Sequence, residues 1–148
     1  MSNVDVILKM YEYFGTGQLD KIRTELMRPD ITWTMPGHHP LAGTHRGGHE
    51  AIAFLGQVVR AGVQFDQVHF GELDDGTVVE RHVGHAKLDS EAVELPSMTA
   101  YRIADGQIAE VRVYSGDQHA LDRYMWAVAP LRPVSSRMAG EEEGDAAR

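Results

Sequence analysis

The sequence predicts an α+β fold, with helices gathered on one face of a curved antiparallel or mixed sheet and an internal pocket between the two layers. Three observations carry this. Apolar residues recur at helical spacing near the start of the chain and again towards its end. The second half alternates apolar and polar residues at period two and is broken by Asp74-Asp75-Gly76 and Ala104-Asp105-Gly106, both tight-turn sequences. Nowhere do strands and helices alternate in the manner of a parallel sheet.

Val4, Ile7, Leu8, Tyr11 and Phe14 form the stripe of a first helix behind Ser2, Asn3 and Asp5, and Gly15 and Gly17 stop it. Leu19, Ile22, Arg23 and Leu26 mark a shorter helical segment closed by Pro29, because the residue before a proline is pushed away from helical angles. Ile31, Trp33 and Met35 share one face of a strand that ends at Pro36-Gly37. A loop rich in glycine and histidine runs from Gly37 to Gly48, and Ile52, Leu55, Val58 and Val59 then carry a third helix to about Gly62. Four strands follow in two hairpins: Val63 to Leu73 with Thr77 to Leu88, and Glu94 to Ile103 with Gln107 to Tyr114. Leu121, Tyr124, Met125 and Val128 form a last short helix.

A chain of 148 residues can enclose one core and is too short for two ordinary domains. We expect one domain over residues 1–131 and a solvated acidic tail over 132–148, where Glu141, Glu142, Glu143 and Asp145 face Arg148 alone. The net charge of −8 repels a polyphosphate, so no nucleic-acid partner is expected. No apolar run is long enough to span a bilayer and no secretory signal opens the chain, which fits a cytoplasmic protein with no membrane partner. Without cysteine there is no thiolate nucleophile and no Cys-ligated zinc. His38, His39, His45 and His49 crowd together, but only His45 and His49 are four apart and Gly47-Gly48 interrupt them, so no metal site is expected and no cofactor either.

Several segments in order carry a family resemblance: Gly17-Gln18-Leu19-Asp20, Trp33-Thr34-Met35-Pro36-Gly37, Pro40-Leu41-Ala42-Gly43, Arg46-Gly47, Asp105-Gly106-Gln107-Ile108-Ala109-Glu110 and Asp117-Gln118-His119-Ala120-Leu121-Asp122. From about residue 4 to 128 the chain resembles the SnoaL-like branch of the nuclear transport factor 2 superfold, a cone in which a curved sheet wraps around the N-terminal helices. That superfold hosts polyketide cyclases, ketosteroid isomerases, epoxide hydrolases, dehydratases and binding modules, so the likeness narrows function without closing it. The resemblance implies a carboxylate base where this chain has Met35, a phenolic donor near Met10 and a strand histidine near Thr99, and all three are absent. Tyr11 and Tyr13 flank Met10 and are expected to point elsewhere on the helix. The aspartate used by SnoaL-like cyclases and limonene-type epoxide hydrolases corresponds to Asp117. The same residue at the start of the last helix would serve as a backbone cap.

Glu80 and His82 share one face of their strand, with Arg81, Val83 and His85 on the other. Facing the pocket, Glu80 would orient His82 as a general acid or base. Facing solvent or a second subunit, both are ordinary surface residues. Arg81 and Arg112 are weaker rivals by analogy with the arginine of the epoxide hydrolase branch. His39, at the pocket mouth, is a candidate proton donor. Trp33, Met35, Phe54, Met98, Tyr101 and Tyr114 are candidate lining residues, and the tyrosine hydroxyls could orient a substrate oxygen.

The reading that results is a small cofactor-free enzyme, a homodimer, acting by acid–base catalysis on an apolar oxygenated metabolite. Cyclisation, isomerisation, dehydration and epoxide opening all remain open, with polyketide or other secondary-metabolite tailoring as the most specific version. Asp117, His82 and His39 are its catalytic candidates. Its alternative is a non-catalytic ligand-binding or dimerisation module, with a pocket that no ionisable group enters.

Overall fold

The structure, a computed structural model, describes residues 1–129, so the acidic tail and the domain boundary at 131 lie outside the described residues. Helix α1 (Asn3–Gly15) opens with a reciprocal cap: Ser2 Oγ accepts from the Asp5 amide at 3.1 Å and the Asp5 carboxylate accepts from the Ser2 amide at 3.0 Å. Its buried residues are Val6, Ile7, Met10 and Tyr13, while Leu8 is 45% exposed. The buried face is thus rotated from the expected stripe, because α1 packs on the segment after it as well as on the sheet. That segment is α2 (Leu19–Lys21), which runs on as one π-helical turn over Ile22–Leu26.

Strand β1 (Met27–Met35) begins earlier than expected and takes in Pro29. Between Met27 and Thr32 its pairing with a neighbour is irregular, so the proline's missing N–H breaks no regular ladder there. A short strand β2 (Gly43–Arg46) lies inside the stretch expected to be loop, antiparallel to β1. Helix α3 (Gly48–Arg60) buries Ala51, Phe54 and Leu55, leaving Val59 exposed. Strands β3 (Gln64–Glu72), β4 (Val78–Leu88), β5 (Glu91–Ala104) and β6 (Gln107–Ser115) form successive hairpins, and α4 (Gln118–Val128) closes the described chain.

The sheet order is β2-β1-β6-β5-β4-β3. Every neighbouring pair is antiparallel except β1 with β6, which makes the sheet mixed. Strand alternation then sorts the side chains into rows across the inner face. The first row is Trp33, Val111, Tyr101 and Val78, all nearly inaccessible to solvent. The second is Val113, Thr99, Glu80 and Phe70, and the third is Ser115, Ser97 and His82. The face therefore grows more polar from the apolar floor towards the side where α4 packs.

Two ties hold the lid of this arrangement. Tyr124 Oη donates to the carbonyl of Ala61, joining α4 to the end of α3. The loop after β1 is fastened to α4 by the His38 amide donating to Asp122 at 3.1 Å and by Trp126 Nε1 donating to the His38 carbonyl at 2.7 Å. Among the described residues no helix is long and apolar enough to cross a membrane.

Candidate active site

Between the inner face of the sheet and helices α1 and α3 lies an apolar hollow of about 100 Å³. Met10 and Phe14 of α1, Phe54 and Val58 of α3, and Trp33 and Met35 of β1 form half of its wall. A second hollow of about 70 Å³ adjoins it, sharing Met35, Val58, Phe65 and Val113, and is bounded by His82 and by Leu121 and Met125 of α4. The polar side chains of the first hollow come from Tyr11, Thr99, Tyr101 and the indole of Trp33.

At the centre of the inner face Glu80 is fully buried and His82 is 8% exposed. His82 Nδ1 lies 2.7 Å from one carboxylate oxygen of Glu80 and 3.0 Å from the other. With the carboxylate accepting, Nδ1 carries the proton and Nε2 presents a lone pair. Phe65 stacks on the imidazole at 4.3 Å between ring centres, nearly parallel, which holds the ring plane. Glu80 stands opposite Thr99 on β5, one row from Tyr101.

Two phenols complete the polar set. Tyr11 Oη and Tyr101 Oη are 2.9 Å apart, across ninety residues of sequence. Burial, then the neighbouring Tyr101 and Glu80, pushes the Tyr11 phenol well above its ordinary range, and burial likewise raises Tyr101. Both therefore stay protonated donors at any physiological pH. One phenol spends its proton on the other, and Glu80 lies close enough to Tyr11 to share in keeping that phenol protonated.

Of the residues singled out from sequence, the structure brings Trp33, Met35, Phe54 and Tyr101 into the first hollow and His82 to the wall of the second, with Glu80 buried beside His82 and lining neither. Asp117 is elsewhere. It is exposed, and its side chain accepts from the Ala120 amide at 3.0 Å as the cap of α4. Met98, 44% exposed, and Tyr114, 54% exposed, project with Arg112 from the opposite face, because their strand neighbours Thr99 and Val113 take the inward places. His39 is buried, but both ring nitrogens are engaged: Nε2–H donates to the Pro36 carbonyl at 3.0 Å and Nδ1 accepts from the Leu41 amide at 3.2 Å. Desolvation also lowers its pKa, so it is a neutral loop brace and not a poised donor. His45 stacks on Phe54 and bonds the Leu41 carbonyl. No group of metal-ligating side chains is gathered among the described residues.

Tyr11 is the site residue that sequence reasoning set aside. The signal was present in its position beside Met10, where the family resemblance implies a phenolic donor. The packing of α1 on the sheet carries the hydroxyl to Tyr101 all the same.

Curved mixed sheet, enclosing helices and a buried polar pair beside an apolar hollow define the class of small cone-shaped α+β domains with a hollow between sheet and helices. Within that class the chain belongs to the SnoaL-like family, whose domain description matches residues 7–111. It is 24% identical over 129 residues to an uncharacterized protein of Mycobacterium tuberculosis, covering 85% of this chain and 97% of that one. It is similar in structure to Bal32a from a soil-derived mobile gene cassette, with a TM-score of 0.74 at 23% identity, covering 83% of this chain and 95% of Bal32a. A proposed SnoaL-like polyketide cyclase from Jannaschia sp. CCS1 superposes with a TM-score of 0.62 at 22% identity, over 88% of this chain and 93% of that one. At these identities the structural likenesses establish the shared fold, the nuclear transport factor 2-like cone.

Proposed function

We propose that the protein is an enzyme that moves a proton on an apolar, oxygenated small molecule held in the hollow, a reaction of the cyclisation or isomerisation type. The buried Glu80–His82 pair carries this reading. A carboxylate and an imidazole are costly to bury, and they are placed where an apolar cavity meets the sheet. Names among the structural neighbours that include polyketide cyclases support the substrate class.

The chemistry follows from the geometry. His82 Nε2 takes a proton from a carbon next to a substrate carbonyl, and the electron pair of that C–H bond moves onto the carbonyl oxygen. Glu80 holds the imidazole in the tautomer that can do this and stabilises the imidazolium once formed. The Tyr11–Tyr101 pair, which lines the hollow, turns an O–H towards the oxygen that gains charge once substrate is bound. Return of the proton to another carbon completes an isomerisation. Attack of the same carbon on a second carbonyl moves that carbonyl's electron pair onto its oxygen, and the imidazolium returns its proton to the alkoxide so formed to complete a ring closure. The apolar walls hold the reacting conformer, which can remove several kcal/mol of barrier.

The test is exchange of the α-protons of β-tetralone for deuterium, followed by NMR in D2O with wild type and His82→Gln. A positioned general base contributes roughly 100- to 10,000-fold, and the variant should lose a factor in that range. A folded His82→Gln protein that exchanges as fast as wild type removes His82 from the mechanism.

A further inference from the structure

His82 and the phenol pair serve one substrate in the reaction proposed above, yet they face different hollows. Tyr11, Thr99 and Tyr101 line the first, while His82, Ser97 and Ser115 line the second. Four side chains border both: Met35, Val58, Phe65 and Val113. Phe65 stands between the two sets of groups. One stacking partner of its ring is Phe14 at 6.1 Å, which lines the first hollow and not the second. The other is His82 at 4.3 Å, which lines the second and not the first.

Phe65 is also the least firmly held of the four. Met35 and Val113 belong to strands flanked on both sides, and Val58 belongs to helix α3. Phe65 belongs to β3, an edge strand paired with β4 alone. Its ladder breaks just beyond, between Asp66 and His69, where Gln67 takes a left-handed φ of 53°. Opposite Phe65 on β4 is Gly84, which offers no cross-strand side chain to fix the ring, and Phe65 itself is only partly buried.

From this we infer that Phe65 is a specificity-determining residue, the partition whose ring turns aside on its edge strand to join the two hollows and whose bulk sets how long a molecule the site accepts. With the ring in place the phenols and His82 lie on opposite sides of it. With the ring aside they reach the same ligand, which extends through both hollows. This rests on the hollows being the ligand site, as proposed above, and holds whichever group serves as the base. Phe65 touches His82 and takes no part in proton transfer.

The experiment measures dissociation constants of β-tetralone and of its three-ring counterpart, 3,4-dihydroanthracen-2(1H)-one, by NMR titration of wild type, Phe65→Ala and Phe65→Trp. The readout is the ratio of the two constants, which a general loosening of the core would not move. Phe65→Ala should shift that ratio at least about tenfold in favour of the three-ring ketone, the low end of what fit in an apolar pocket discriminates, and Phe65→Trp should shift it the other way. β-Tetralone bound to wild type should show nuclear Overhauser contacts to Tyr101 and His82 together. A ratio within a factor of two of wild type in Phe65→Ala, or contacts confined to one hollow, would make Phe65 a packing residue and overturn the inference while leaving the hollow as the binding site. If neither ketone binds any of the three proteins, the hollows lose their assignment and the inference falls with it. Loss of deuterium exchange in His82→Gln concerns the base and leaves the ratio untouched, so the two readings fail separately. Should Phe65→Ala fail to fold, the contacts in the native protein decide alone.

Discussion

Glu80 is the residue on which the interior depends, because a fully buried carboxylate is tolerable only while its partner is present. Replacing His82 by Phe keeps the ring that stacks on Phe65 but strands the charge. We expect a loss of about 3–5 kcal/mol of stability, measured by urea denaturation. Adding Glu80→Leu should restore a substantial part of that loss, so that the double variant is more stable than His82→Phe alone. Purely additive losses in this cycle would show that the two side chains do not depend on each other. Period-two alternation alone places Glu80 and His82 on a common face, and that much is legible without coordinates. Which face looks inward is not, since Arg81, Val83 and His85 make the other side equally mixed in character. The rows opposite them decide it: Thr99 and Ser97 lie between the sheet and the helices, and Met98 lies outside. Tyr11 was illegible for a related reason. Its partner is on β5, and helix periodicity says nothing about how far an axis tilts when it packs on two neighbours.

At the level of elements, the start of α4 separates a structural aspartate from a catalytic one. Asp117 accepts from the Ala120 amide and stands in solvent, away from both hollows. Asp117→Ala should cost about 1 kcal/mol of unfolding free energy through loss of the cap and leave deuterium exchange of β-tetralone within a factor of two of wild type. A variant of normal stability that loses exchange would return the catalytic role to Asp117. The helices and the four hairpin strands could be read from periodicity and turns, because each is encoded within a dozen neighbouring residues. Two elements could not. Strand β2 is only Gly43-Thr44-His45-Arg46, a largely exposed stretch with no apolar alternation, and it is extended because β1 offers it a ladder. The parallel pairing of β1 with β6 joins Trp33 to Val111, a contact between distant parts of the chain that no local pattern records. That pairing is what brings Trp33 beside Tyr101 and so builds the wall of the site.

For the molecule as a whole, the acid side of the stability profile should have two separate origins. Unfolding of so small a domain is expected to be cooperative, so a proton taken up preferentially by the unfolded chain is felt globally. His39 is held below its ordinary value of 6.5 by burial, with its ring nitrogens already committed to Pro36 and Leu41. As pH falls below 6.5 the unfolded chain binds a proton at this position that the folded chain resists. Stability tied to His39 is therefore complete above 6.5 and declines as pH drops towards the lowered folded value. A second decline begins only below the ordinary carboxylate value of 3.8, where Asp5 and Asp75, lowered by hydrogen bonds, and Asp30, lowered mainly by Arg28, hold off protonation in the folded state. Because these three carboxylates are exposed, that second step should weaken in high salt to the extent that the Arg28 pair contributes. Thermal unfolding followed by circular dichroism from pH 8 to pH 3 should show the melting temperature falling first through the histidine window and again through the carboxylate one. His39→Gln keeps an amide donor and an acceptor in place of the ring nitrogens and cannot titrate, so it should flatten the first fall and leave the second. A first fall of unchanged size in His39→Gln would assign it to other histidines and leave His39 a neutral brace with no share in the pH response.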